Sequence, residues 1–172
     1  MKLALAIHFE ADGALAAAVA FEDWDAPEAL RSFTTRIAHA EKKTAKRGEP
    51  DLRELPCMLQ LLREHGLEPD VILIAGFVHL DAAESAGLGR HLFHALGGRT
   101  AVIGVSKVAL PLGETPAQFE LFREEETAPL IITCAGIDLG AAKARLRGMH
   151  GKRRMPTLLK LVARLAKGAQ GE

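Results

Sequence analysis

Two apolar runs open the chain, Leu3–Ile7 and Ala14–Phe21, with Ala11-Asp12-Gly13 between them. Asp-Gly between such runs is a hairpin signal, so residues 2–9 and 14–22 read as paired strands. Residues 29–38, with Phe33-Thr34-Thr35-Arg36-Ile37, have the β-branched and aromatic character of a third strand. The period then changes. Leu52, Leu55, Leu59 and Leu62 recur at helical spacing with Met58 in the same stripe, Asp51 beside Pro50 supplies an N-cap, and Gly66 supplies a stop. Val71–Gly76 is a continuous apolar run, as expected of a strand buried on both faces. Residues 82–96 read as a helix although Gly87 and Gly89 each cost about 1 kcal/mol against Ala, which points to close packing on a sheet. Thr100–Val105 reads as a second buried strand, completing a right-handed parallel βαβ unit. Residues 117–123 and 129–134 form a further strand pair around a Glu124-Glu125-Glu126 turn. Asp138 caps a helix to about Arg147, and Pro156 opens a last helix with Leu158, Leu161, Val162 and Leu165 on one face.

An antiparallel meander followed by a parallel unit is the ribonuclease H-like arrangement: an α/β fold with one mixed sheet and helices on both faces. In such a sheet a ligand sits at the carboxyl ends of the first and fourth strands, where they run side by side. At 172 residues and 48% hydrophobic content the chain fits a single domain, 1–168, with a disordered tail at 169–172. The longest apolar runs are too short to cross a bilayer. Glu10 and Asp12 follow the first run at once, so a signal peptide is not expected and the cytoplasm is. Cys57 and Cys134 are isolated among apolar residues and read as small core residues.

The net charge is zero but unevenly placed, for every charged residue from Lys143 to Lys167 is Lys or Arg. Such asymmetry points to an anionic partner, most often nucleic acid. Lys42, Lys43, Lys46 and Arg47 form one basic group and Lys152, Arg153 and Arg154 another. Phosphate contacts from these groups would give affinity without sequence choice.

Five segments resemble the endonuclease V family, the inosine-directed nucleases, in collinear order over nearly the whole chain. Ile103-Gly104-Val105-Ser106-Lys107 resembles the family's strand-end "IGVAK" motif, and Leu52-Arg53-Glu54-Leu55-Pro56 its "FRE-x-P" helix start. The segment from Pro69 to Gly76 resembles "PDLVFVDG", Pro129-Leu130-Ile131-Ile132-Thr133 a late strand, and Arg154-Met155-Pro156 the "RLPEP" entry to the last helix. The resemblance implies a Mg²⁺- or Mn²⁺-dependent phosphodiesterase, but it also locates what is missing. The family's two strand-borne metal-binding Asp residues align at Ala6 and Ala75, and its late His and Asp around Ala135 and Gly140. The loop bearing its Tyr wedge corresponds to Lys42–Pro50, and the chain has no Tyr. Of the implied catalytic set only Glu54 and Lys107 remain.

One carboxylate holds Mg²⁺ poorly. A substitute metal set of His8, His79 and Asp81 with Glu54 would suit a transition metal better than Mg²⁺. His91 and His94, three apart on a helix, read as one surface and one half-buried histidine. Three functions follow. The leading one is an endonuclease V-like nucleic-acid-binding protein with a degraded, inactive metal site. The others are an active endonuclease with rearranged ligands, and a non-catalytic module that binds a protein partner.

Overall fold

A computed structural model describes residues 1–38, 40, 51–123 and 127–168. Strands β1 (Lys2–Glu10) and β2 (Gly13–Phe21) form the expected hairpin, with Glu10 opposite Gly13. Gly13 does not serve the turn through its backbone freedom, because its φ is not positive. It is small because the next strand approaches it, and a Cβ there would collide with the Ile37 carbonyl oxygen. That next strand, β3 (Arg31–Ala38), runs antiparallel to β2 and completes the meander.

Helix α1 (Glu54–Glu64) buries Cys57, Met58, Leu61 and Leu62. It starts later than Asp51 implies. Asp51 is a turn residue rather than the N-cap: its Oδ1 accepts from the Arg53 N–H at 3.1 Å, and its carboxylate pairs with the Arg53 guanidinium at 2.7 Å. Gly66, at φ +62°, ends the helix as expected, and the Leu67 N–H returns to Leu62 O. The crossover continues through β4 (Val71–Ala75), α2 (Leu88–Ala95) and β5 (Ala101–Ser106). β4 lies parallel to both β1 and β5.

The helix expected over 82–96 begins only at Leu88. Asp81 takes the Ser85 N–H at 2.9 Å and the Ser85 hydroxyl at 2.7 Å, closing a turn with Glu84 at φ +65° and a bridge between His79 and Ala86. Local side-chain bonds of this kind compete with helix formation. The small residues that follow have the expected packing role, since a Cβ on Gly89 would lie 2.6 Å from Val78 Cγ2.

β6 is shorter than expected, only Glu120–Leu121 after a 3₁₀ turn at Ala117–Phe119, and it pairs with β7 (Leu130–Ala135). The acidic triplet at 124–126 and the tail at 169–172 lie outside the described residues. Asp138 caps α3 (Leu139–Gly148), its Oδ2 accepting from the Ala141 N–H. Pro156 is the extended cap residue before α4 (Thr157–Ala166) rather than its first helical residue.

The strand order is β3-β2-β1-β4-β5-β7-β6, the ribonuclease H-like mixed sheet expected from the element order. Helices cover both faces. Leu3, Leu5, Ile72 and Ile74 pack with Met58 and Leu61 of α1 and Leu92 of α2. Leu73, Ile103 and Val19 pack on the other face with Leu146 of α3 and Leu158 and Val162 of α4. No helix among the described residues is long and apolar enough to cross a membrane.

Candidate functional site

The parallel strands β1, β4 and β5 end together at one edge of the sheet. Leu5 pairs with Ile74, and Ala75 with Val105, so Ala6, Ala75 and Val105 fall at one level. A cavity of about 260 Å³ opens there, lined by Ala6, Ala75 and Val105, by Lys107 just past β5, and by Leu159 and Ala163 of α4. Thus the two positions that the resemblance gives to metal-binding carboxylates, and the lysine it retains, surround one space.

A comparison with known proteins bears on what this space is. No family model matches the sequence, and no curated protein matches it. Solved structures do. An endonuclease V from Ciona intestinalis, in complex with DNA containing an inosine followed by a ribo-adenosine, is 18% identical with a TM-score of 0.72, covering 97% of this chain and 83% of that one. The human endonuclease V structure is 18% identical with a TM-score of 0.70, covering 97% and 82%. The one from Bacillus subtilis is 17% identical with a TM-score of 0.67, covering 97% and 78%.

The chain has the endonuclease V fold. On that fold the cavity does not suit a divalent metal. Mg²⁺ and Mn²⁺ are held by oxygen ligands, whereas the side chains lining this space are those of Ala, Val, Leu and Met, with two lysines, Lys107 and Lys160. Among the described residues a cation would meet like charge and no acid. Glu54 does not line the space. Burial, and next the charge of Asp51, push its carboxyl from an ordinary 4.5 up to about 7, against an opposing pull from Arg53.

The proposed substitute ligands are not drawn together. Among the described residues no group of three or more His, Cys, Asp or Glu side chains is placed to hold a metal. His8 is exposed near the end of β1, opposite Leu15. His79 is 6% exposed, and its Nε2 lies 3.1 Å from Cys134 O. Burial lowers its pKa, so the ring is neutral and Nε2–H is the donor; Nδ1 has no partner among the described residues. The two hydrogen bonds from Ser85 hold the Asp81 carboxyl below its usual range. His94 is exposed and His91 half-buried, and His94 Nε2 accepts from Arg90 Nε.

The basic segments differ in availability. Lys42, Lys43, Lys46 and Arg47 lie outside the described residues. Lys152 and Arg153 are exposed. Arg154 is committed to the scaffold: Nη2 donates to Lys107 O at 2.6 Å, and Nε donates to Pro129 O at 3.0 Å. This ties the linker after α3 to the end of β5, beside the cavity. Sequence reasoning missed Arg123, which is 4% exposed and donates to the carbonyls of Met149, Gly151 and Arg153 at 2.5, 2.9 and 2.7 Å. It reads as the last residue of a strand, beside three glutamates, and no pattern in the sequence marks it as buried. Lys160 reads as one cation of the basic stretch from Lys143 to Lys167, and nothing in that pattern brings it to the ends of β1 and β4.

Proposed function

We propose that the chain is an endonuclease V-like nucleic-acid-binding protein that has lost metal-dependent cleavage. The observation that carries this reading is the apolar cavity where Ala6 and Ala75 stand in place of the family's carboxylates. Without them the described residues offer no two-carboxylate site to bind a metal and activate water. Binding does not need that site. The endonuclease V from Ciona intestinalis was crystallised with inosine-containing DNA on the same fold. Here Lys152 and Arg153 are exposed on a linker that Arg154 fastens beside Lys107. Lysine and arginine contacts to phosphate confer affinity that falls steeply with salt.

The test is cleavage of inosine-containing single-stranded DNA and RNA with Mg²⁺ and then Mn²⁺, beside equilibrium binding of the same oligonucleotides at several salt concentrations. No cleavage with salt-sensitive binding is the expected result. Cleavage that Glu54→Ala abolishes would overturn the loss of catalysis, and salt-insensitive or absent association would overturn nucleic-acid binding.

A further inference from the structure

Small side chains are used in two ways along β1. Ala4, and Ala17 across the hairpin, are fully buried in the cluster that α4 closes with Leu158 and Val162. Ala6 lies two residues further along the same face and is only half-buried, while Ala75 beside it is exposed. The helix that seals the sheet over Ala4 leaves open space over Ala6, and that space is the 260 Å³ cavity.

The chemistry of the walls is uneven. Leu5, Val105, Met155 and Leu159 present apolar side chains, and among the described residues Lys107 and Lys160 are the charged ones and no acid lines the space. Neither lysine side chain has a hydrogen-bond or ion-pair partner among the described residues. We propose that this cavity binds a small amphiphilic anion, a molecule with one carboxylate or phosphate head and an apolar body. The head takes charge-assisted hydrogen bonds from Lys107 and Lys160, and the body lies against the hydrocarbon walls. The volume falls just below the range of drug-sized ligand pockets, so the body is short, roughly eight carbons. A nucleotide fits worse, since its base and sugar would set polar groups against walls without hydrogen-bonding side chains other than the two lysines. The inference needs only the cavity and stands apart from nucleic-acid binding at the linker.

The test is a titration of the ¹⁵N-labelled full chain with octanoate, octyl phosphate and 1-octanol, followed by amide chemical shifts. Both anions should move the resonances of Ala6, Ala75 and Leu159 to Ala163, and the tighter of the two identifies the head. Octanol, which lacks the charge, should bind about a hundredfold more weakly, the loss of two charge-assisted contacts at about tenfold each. Lys160→Gln should weaken octanoate about tenfold and leave octanol unchanged. Ala75→Leu and Ala163→Leu each fill the space from an exposed position that tolerates a larger side chain, and each should abolish binding. Octanoate that moves no cavity resonance, or that binds through both filled variants, overturns the site. Octanol binding as tightly as octanoate overturns the assignment to an anion. Oligonucleotide binding by Ala163→Leu, measured in parallel, separates failure here from failure of the nucleic-acid reading.

Discussion

Glu54 is the one carboxylate kept from the set that the family resemblance implies, and its titration reports whether it still belongs to a metal site. Its pKa is raised from 4.5 to about 7, chiefly by burial and then by Asp51. The folded protein therefore holds this proton where the unfolded chain has released it. Between pH 4.5 and about 7 the folded state binds more protons, so the contribution of Glu54 to stability falls as pH rises and stays lost above pH 7. A shift of this size corresponds to at most about 3 kcal/mol, and solvent reaching a half-buried side chain reduces it to about 1–2 kcal/mol. Glu54→Gln removes the titration while keeping the shape. The variant should match the wild type near pH 4.5 and exceed it by about 1–2 kcal/mol at pH 8, as read from urea denaturation across that range. Mn²⁺ should change neither curve, because Glu54 stands outside the cavity and belongs to no metal-holding group among the described residues. A stability difference independent of pH, or one that Mn²⁺ reverses, would refute the reasoning.

Other substitutions test the frame around the cavity. A Cβ on Gly104 would lie 2.6 Å from Gly76 O and 2.9 Å from Thr133 Oγ1, so Gly104→Ala should destabilise by about 3 kcal/mol or more in thermal unfolding. Thr133→Val keeps the volume but strands the buried Val78 N–H that donates to Thr133 Oγ1 at 2.8 Å, which should cost about 1–3 kcal/mol by denaturant titration. Arg123→Met should free the linker it pins through three carbonyls, giving trypsin cleavage after Lys152 and Arg153 at rates well above wild type. Replacing Lys152 and Arg153 by Ala should weaken oligonucleotide binding uniformly across sequences and lower the slope of log K against log salt by about one per contact removed.

The elements read most directly from sequence are those whose pattern depends on burial alone. The continuous run in β4 and the stripe of α1 each have one physical explanation, and Ile72, Leu73 and Met58 are buried accordingly. Expectations slipped where a local polar bond decided the outcome. The carboxylate of Asp81 turned the start of a helix into a closed turn, and Asp51 bonded to Arg53 instead of capping. At the site, the loss of ligands was visible as Ala6 and Ala75. That α4 would roof the space with hydrocarbon and bring Lys160 to it was not, because it depends on how a helix far along the chain packs on the opposite face of the sheet. The burial of Arg123 is likewise a tertiary property, for its partners are carbonyls some thirty residues away.

The position of β1 has a consequence for the order in which the protein folds. Lys2 is paired with Phe21 on one side and with Val71 on the other. The first contact closes a short hairpin, which forms on a microsecond scale, while the second must close a far longer loop before any contact rewards it. This interior strand of the sheet therefore acquires its two neighbours at different times. The meander can form as soon as its own residues are available, and the half that frames the cavity docks onto it afterwards. Substitutions between β1 and β2, such as Val19→Ala, should then slow folding, and those in β7, such as Ile132→Val, should mainly hasten unfolding. Stopped-flow chevrons of the two variants would show that division, and a cavity assembled last would open more readily than the hairpin beneath it.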